Sequence, residues 1–494
     1  MQSIRIQQQA RQPDQDTLDK CTNWIMLIVE SATDKTLSVL PCHTVLKEKL
    51  KRAGNKKATN KVFTLDLPNK QASHVSFTRV RKDTTEFELL SLARKLVDPH
   101  TRQQAKEIGI VVTGFAKKES ERVAEAVIAA ALARAAKMPS FKSKQDKQPS
   151  LEKLHLHGLK TTHGFKRTLA ESEGNALARS LSMLPPNKLT PADYLKKVKV
   201  LAREKKWKLD FYGVPELKKK KAGAFLAVCQ GSPTQDAGIV RLQYKPSTKS
   251  KKGTLTLVGK GICYDTGGVS LKPPKYMFGM HEDMQGSAVA LGTFLALTEL
   301  KVNFPVECWL ALAMNHIGPK SYIPNDVVTA SDGTTIEVVN TDAEGRMVLA
   351  DTLALASKLK PKVIMDYATL TGACMLALGT SYSGIFTNNE ALMQKLIDAG
   401  RDSGERVWPF PRDEDYDKII ESQIADVKQC GQEGMADHIQ AARFLGRFIK
   451  NDVTWIHVDL SSSNRKGGLA HIPTDTTGFG VRYSLNLVLD KKLL

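Results

Sequence analysis

The chain has 494 residues, 41% hydrophobic and 25% charged, and its 72 Lys and Arg against 52 Asp and Glu leave a net charge of +20. Such a chain buries a sizeable core and divides into two to four domains at roughly 100–200 residues each, which excludes disorder as its dominant state. No run of about 18 apolar residues occurs and the first residues lack the apolar stretch of a secretory signal, so no membrane span is expected and the reading is cytoplasmic. The seven cysteines are scattered without a C-x-x-C pair, which argues against a disulfide framework or a thiolate zinc site.

In chain order, residues 24–29 form a short apolar strand, 87–97 show helical spacing, 108–112 are again strand-like, and 119–137 form an Ala-rich helix. Residues 137–153, rich in Lys, Ser, Gln and Pro, supply no buried face and read as an exposed basic loop. A helical pattern over 165–184 runs into Pro185-Pro186, after which Thr190 caps a new helix with Pro191 in its first turn. The apolar runs 255–258, 306–312, 363–367 and 454–458 alternate little and are separated by helical stretches, the pattern of strands covered on both faces. The expected architecture is α/β in two domains: a smaller N-terminal α/β domain over 1–164, a linker helix over 165–184, and a larger α/β domain over 185–494 with a central mixed sheet flanked by helices. Two basic runs, 218–221 and 245–252, lack interleaved aromatics and read as solvated loops.

In open α/β sheets the active crevice lies beyond the carboxyl ends of the strands, so charged residues there carry information. Three places stand out: Lys260, Asp265 and Lys272 followed by Met280-His281-Glu282-Asp283; Asp342 and Glu344 beside Arg346; and 366–372. Singly, each is most often a helix cap or a solvated turn residue. Together, four carboxylates converging in a partly dry site repel one another and call for cations, for which divalent metals are better suited than lysines. Oxygen ligands without Cys suit Mg, Mn or Zn. The lone Asp265-Thr266-Gly267 string does not make an aspartic protease, whose chemistry needs two such loops.

The strings VGKGICYDTGGVSLKP and NTDAEGRMVLADTLALA, with MHEDMQGSA and DYATLTGA between and after them, closely resemble the leucine (leucyl, or cytosol) aminopeptidase family of dinuclear metallo-exopeptidases. The likeness runs from about residue 175 to 481 and includes PPNKLTP and TTGFGV. It implies that Lys260, Asp265, Asp283, Asp342 and Glu344 are metal ligands for two divalent ions (Zn or Mn, with Mg or Co as alternatives). It further implies that Lys272 and Arg346 are catalytic and that Arg346 holds a bicarbonate. Lysine as a ligand must be deprotonated, which a doubly charged neighbour permits. The implied reaction is removal of the N-terminal residue from short peptides by a two-metal-activated hydroxide, in a homohexamer built as a dimer of trimers.

Met280, Thr369, Leu370, Gly372, Ser461 and Asn464 match positions that bind the substrate. Ser461 and Asn464 stand where the family often has Ala and Met, so a more polar pocket and a weakened preference for Leu and Met are expected. Because the chain is strongly basic and some bacterial members bind DNA, a bifunctional enzyme binding nucleic acid through its basic surface is the alternative reading. Cys263, Cys374, Trp455 and His457 read as packing.

Overall fold

The computed structural model describes residues 4–54, 59–144, 147–248, 250 and 252–494, in two compact units. One contains residues 1–172 with 466–475, and the other 173–465 with 476–494.

The first unit is built on a six-stranded sheet. Its strands are β1 (Arg5–Gln9), β2 (Asn23–Val29), β3 (Phe63–Asp66), β4 (His74–Val80), β5 (Glu107–Thr113) and β6 (Lys153–His157), in the order β1-β6-β5-β2-β4-β3. All neighbours are parallel except β3 and β4. Strand β2 shows why its sequence does not alternate: Ile25 and Leu27 enter one hydrophobic cluster, Trp24, Met26 and Ile28 the other, so both faces are dry. The first cluster is closed by the helices Glu86–Arg102 and Lys117–Ala135. Thr85 caps the former, its hydroxyl accepting from Glu88 N while the Glu88 carboxylate takes the Thr85 N–H. The basic segment 137–153 connects Lys117–Ala135 to β6 within this unit; its residues 145 and 146 lie outside the described residues.

The second unit carries an eight-stranded mixed sheet and a three-stranded one. The strands are β7 (Lys208–Gly213), β8 (Gly238–Tyr244), β9 (Leu255–Asp265), β10 (Val306–Asn315), β11 (Val327–Thr329), β12 (Thr335–Glu337), β13 (Val363–Ala368), β14 (Ser383–Thr387), β15 (Val407–Pro409), β16 (Val427–Lys428) and β17 (Thr454–Asp459). The large sheet runs β15-β14-β17-β13-β9-β10-β8-β7 and the small one β11-β12-β16. Its centre, β17-β13-β9-β10, is wholly parallel, so four carboxyl ends open on the same edge. The helices Gln285–Glu299 and Glu344–Ser357 are buried almost throughout, consistent with a sheet covered on both faces.

The anticipated strand 255–258 is longer than its apolar run. It continues to Asp265, so Lys260 sits inside β9 opposite Ala311 rather than beyond the strand. A polar strand of this kind is possible because Gly259 lies against the backbone of the helix Gln285–Glu299, where a Cβ would come 2.4 Å from Ser287 Cα. Likewise Glu344 is the first residue of its helix rather than part of an extended turn with Asp342. Of the basic runs, Lys218 and Lys219 close the helix Val214–Lys219 and Lys220 Nζ stands 4.6 Å from the Tyr212 ring centroid; residues 249 and 251 of the second run lie outside the described residues. No helix among the described residues is long and apolar enough to cross a membrane.

Two buried histidines make the first unit sensitive to acid. His100 is enclosed between Asn23 Oδ1 (3.0 Å) and Ser76 Oγ (2.9 Å), and His157 packs against Trp24 with ring centroids 5.3 Å apart. Burial pushes them down to about 3 and about 4 respectively. Once unfolded they protonate near 6.5, so the unfolded chain takes up more protons and stability falls as pH drops below that value. At about 1.4 kcal/mol per pH unit per group, the loss between pH 7 and 5 should be roughly 2–4 kcal/mol. Hydrogen exchange of β2, β5 and β6 amides at the two pH values, corrected for intrinsic rates, should show it; H157Q should remove part of the difference.

Candidate metal centre

The charged residues singled out in the sequence meet in one cleft of about 520 Å³ at the carboxyl ends of β9, β13 and β17. Asp265 ends β9, Asp283 follows the 3-10 turn Met280–Glu282, Asp342 lies in the loop before the helix Glu344–Ser357, and Glu344 opens that helix. One oxygen each of Asp265, Asp342 and Glu344 lies within 4.8 Å of the others, near enough for one ion to touch all three.

Two lysines hold this cluster together. Lys260 Nζ lies 2.9 Å from both Asp283 Oδ2 and Glu344 Oε1 and donates to the Thr369 carbonyl at 2.9 Å. Lys272 Nζ lies 3.0 Å from Asp265 Oδ2 and 2.5 Å from Asp342 Oδ1. Four carboxylates face two ammonium groups, so negative charge remains in excess. Burial lifts Asp283 well above the ordinary carboxylate range; burial and the Asp265 charge lift Asp342 to about 7 and raise Glu344 as well. Burial works against charge on Lys260 too, but Asp283 and Glu344 outweigh it and hold the amine upward.

The donor set fits divalent metal. Glu344 Oε2 is buried without a hydrogen-bond partner, and buried carboxylate oxygens are costly unless something positive takes them. Ligation by Lys260 requires its proton to leave, so metal entry at this amine exchanges one cation for another. Gly345 leaves room for this side chain: a Cβ there would lie 2.7 Å from Lys260 Nζ and Cε.

Met280, Thr369, Leu370, Gly372, Ser461 and Asn464 all line the same cleft. Thr369 Oγ1 donates to Asp283 Oδ1 at 2.7 Å. Arg346, like His281 and Asp366, is not among the cleft's lining, and it is 2% exposed. Its Nη2 lies 2.7 Å from Asp437 Oδ1 and its Nη1 donates to the Gln429 carbonyl at 3.2 Å, while Nε has no hydrogen-bond partner. Cys263 and Cys374 are buried free thiols. Trp455 and His457 are buried as well, but as partners of the buried Asp366: His457 Nδ1 lies 2.6 Å and Trp455 Nε1 2.5 Å from its carboxylate. Asp366 is thereby committed within the sheet.

Three supporting residues escaped sequence reasoning. Asn315 ends β10, and its Nδ2 donates to Asp265 Oδ1 (2.8 Å) and to the Thr341 carbonyl (2.9 Å), tying two loops of the cluster together. The strand-end rule that found Asp265 would have found it. Gln429 spreads one carboxamide over the loop before Asp342, its Oε1 accepting from Val339 N (3.2 Å) and Asn340 N (3.1 Å) and its Nε2 donating to Ala343 O (3.0 Å). Nothing near Gln429 in the sequence announces that role. Asp459, ending β17, accepts from Leu370 N (3.2 Å) and Thr371 Oγ1 (2.6 Å) and so fixes the loop after β13.

Residues 176–485 match the model of the cytosol aminopeptidase family, catalytic domain. A probable cytosol aminopeptidase of Wolbachia pipientis wMel is 36% identical over 439 residues, covering 87% of this chain and 85% of the relative. Among solved structures, a lysine-to-glutamate mutant of tomato leucine aminopeptidase superposes with a TM-score of 0.85 at 27% identity, over 99% of this chain and 97% of its own. The bottromycin maturation enzyme BotP, in complex with Mn, superposes at 0.82 with 26% identity, over 95% of this chain and 99% of its own. With its catalytic region matched from 176 to 485 and a relative alike over most of both lengths, this chain belongs to the cytosol aminopeptidase family and is a metal-dependent aminopeptidase.

Proposed function

We propose that Lys260, Asp265, Asp283, Asp342 and Glu344 hold two divalent cations, zinc or manganese, and that the segment 185–494 removes single N-terminal residues from short peptides in the cytoplasm. The observation that carries this reading is the gathering of four carboxylates around only two lysines in one cleft, with Glu344 Oε2 buried and without a hydrogen-bond partner. The Mn complex of the BotP enzyme supports manganese as one occupant. We further propose a homohexamer, arranged as a dimer of trimers, on the family resemblance.

Bound there, a pair of divalent cations supplies Lewis acidity toward a peptide carbonyl and a water nucleophile at neutral pH. The chain's own groups do the rest. Asp283 accepts a hydrogen bond from the free α-amine of the substrate, which restricts the reaction to the first residue. Lys272 places a positive charge beside Asp265 and Asp342, where negative charge develops on the carbonyl oxygen, a form of stabilisation worth about 100-fold or more in rate. Leu370 and Gly372 orient the peptide backbone on a loop that Asp459 holds in place. Arg346 would hold a bicarbonate through its Nε–H, which Asp437 and Gln429 leave without a partner, and the group would supply a base there for the water proton.

Chelator-stripped enzyme should leave Leu-Gly and leucine amide intact and regain activity when Zn, Mn, Mg or Co is restored singly, with Zn or Mn most effective. Failure of all four to restore hydrolysis would overturn the proposal. K272A should lower kcat by about 100-fold or more with metal still bound, whereas D342A should also lower metal content, which elemental analysis reads. G345A, whose new methyl group collides with Lys260, should reduce bound metal below two per chain while the far-ultraviolet circular dichroism stays that of the natural protein.

A further inference from the structure

Apart from Asp459, which is bonded to the loop after β13, the cleft contains one carboxylate that the metal cluster does not use. Glu282 lines it, immediately before Asp283, and its two oxygens are occupied by neutral donors only: Thr476 Oγ1 donates to Oε1 at 2.9 Å and Asn464 Nδ2 donates to Oε2. Asn464 and Thr476 are themselves joined by an isolated antiparallel bridge, so the two donors arrive as a pair. Glu282 makes no ion pair among the described residues. Of the cations near the cleft, Lys260 and Lys272 are paired with the other carboxylates, and Arg465 Nη1 donates to Ser381 Oγ rather than to Glu282. Beside it the Asn464 Oδ1 is a buried acceptor without a partner, and the Ser461 hydroxyl directs its proton away to the Tyr382 carbonyl at 2.8 Å. This end of the cleft therefore offers acceptors and a carboxylate matched by neutral donors but by no paired cation among the described residues, while Met280 and Met375 supply apolar wall along the way.

Resting on the aminopeptidase reading above, we propose that Glu282, with Asn464 and Thr476, forms an acidic subsite for the first side chain, and that the enzyme takes peptides beginning with Arg or Lys at least as well as those beginning with Leu. The aliphatic stem of such a residue lies along the methionines while its charged head replaces water at Glu282 and Asn464 Oδ1. Uncharged side chains leave that carboxylate unmatched.

The test compares kcat/KM for arginine amide, citrulline amide, which keeps the shape without the charge, and leucine amide. Arginine should exceed citrulline by about tenfold, and that ratio should shrink as ionic strength rises from about 0.05 to 0.5 M, as expected for a partly exposed charge pair. E282Q, checked for unchanged metal content, should bring the arginine to citrulline ratio near one, and E282K should shift preference toward aspartate or glutamate amides. Equal turnover of arginine and citrulline amides by the natural enzyme, or a ratio unmoved in E282Q, would overturn the subsite; the salt series on the natural enzyme decides the matter if a variant does not fold. Hydrolysis of leucine amide with exclusion of arginine amide defeats this inference alone, whereas no hydrolysis of any amide with any metal defeats the aminopeptidase reading itself.

Discussion

Mutual repulsion among buried carboxylates is the constraint from which the second unit's design follows. Asp265, Asp283 and the Asp342–Glu344 pair come from three separate stretches of chain, and bringing them into one partly dry cleft raises the energy of the ionised forms of Asp283, Asp342 and Glu344. Lys260 and Lys272 relieve some of this from inside the cluster, one wedged between Asp283 and Glu344, the other between Asp265 and Asp342. A fold that concentrates charge in this way gains little stability from it, because desolvation offsets most of the attraction. The arrangement makes sense as a receptor for cations stronger than ammonium.

Holding such a cluster requires rigid supports with their own hydrogen bonds satisfied. The parallel quartet β17-β13-β9-β10 delivers Asp459, Thr369, Asp265 and Asn315 to one edge, and the interior on both sides is apolar. Around that edge the loops are fastened by side chains from other parts of the chain: Asn315 to Asp265 and Thr341, Asp459 to Leu370 and Thr371, Tyr322 OH to the Thr341 carbonyl at 2.9 Å. Such outer partners fix the direction of each ligand oxygen, which metal affinity depends on.

Much of this was legible in the sequence, and the reasons are physical. Strands buried on both faces announce themselves as unbroken apolar runs, as 255–258, 306–312, 363–367 and 454–458 do, and the Thr190-Pro191 helix start is a local hydrogen-bond pattern that the structure repeats, with Asp193 closing the box. The ligand-type residues were legible because charge next to glycine at a strand end has few structural uses. What stayed hidden was whatever depends on partners distant in sequence. Lys260 looked like a loop residue because nothing local says that Gly259 will meet the backbone at Ser287 and let the strand continue. Asp366 looked like a cleft residue until His457 and Trp455, about ninety residues on, were found bonded to it. Gln429 and Glu282 are ordinary polar residues until their neighbours are known.

The Gln429 carboxamide has a wider implication. It lies just past β16, in the small sheet, yet it grips the main chain at Val339, Asn340 and Ala343, while the main-chain carbonyl of the same residue accepts from the Arg346 guanidinium. The β11-β12-β16 layer thus acts as an outrigger, joined to the Asp342 turn both by β12, whose chain leads straight into it, and by the Gln429 side chain. One residue anchors both the turn before Asp342 and the Arg346 guanidinium, which makes this small layer part of the cleft's support.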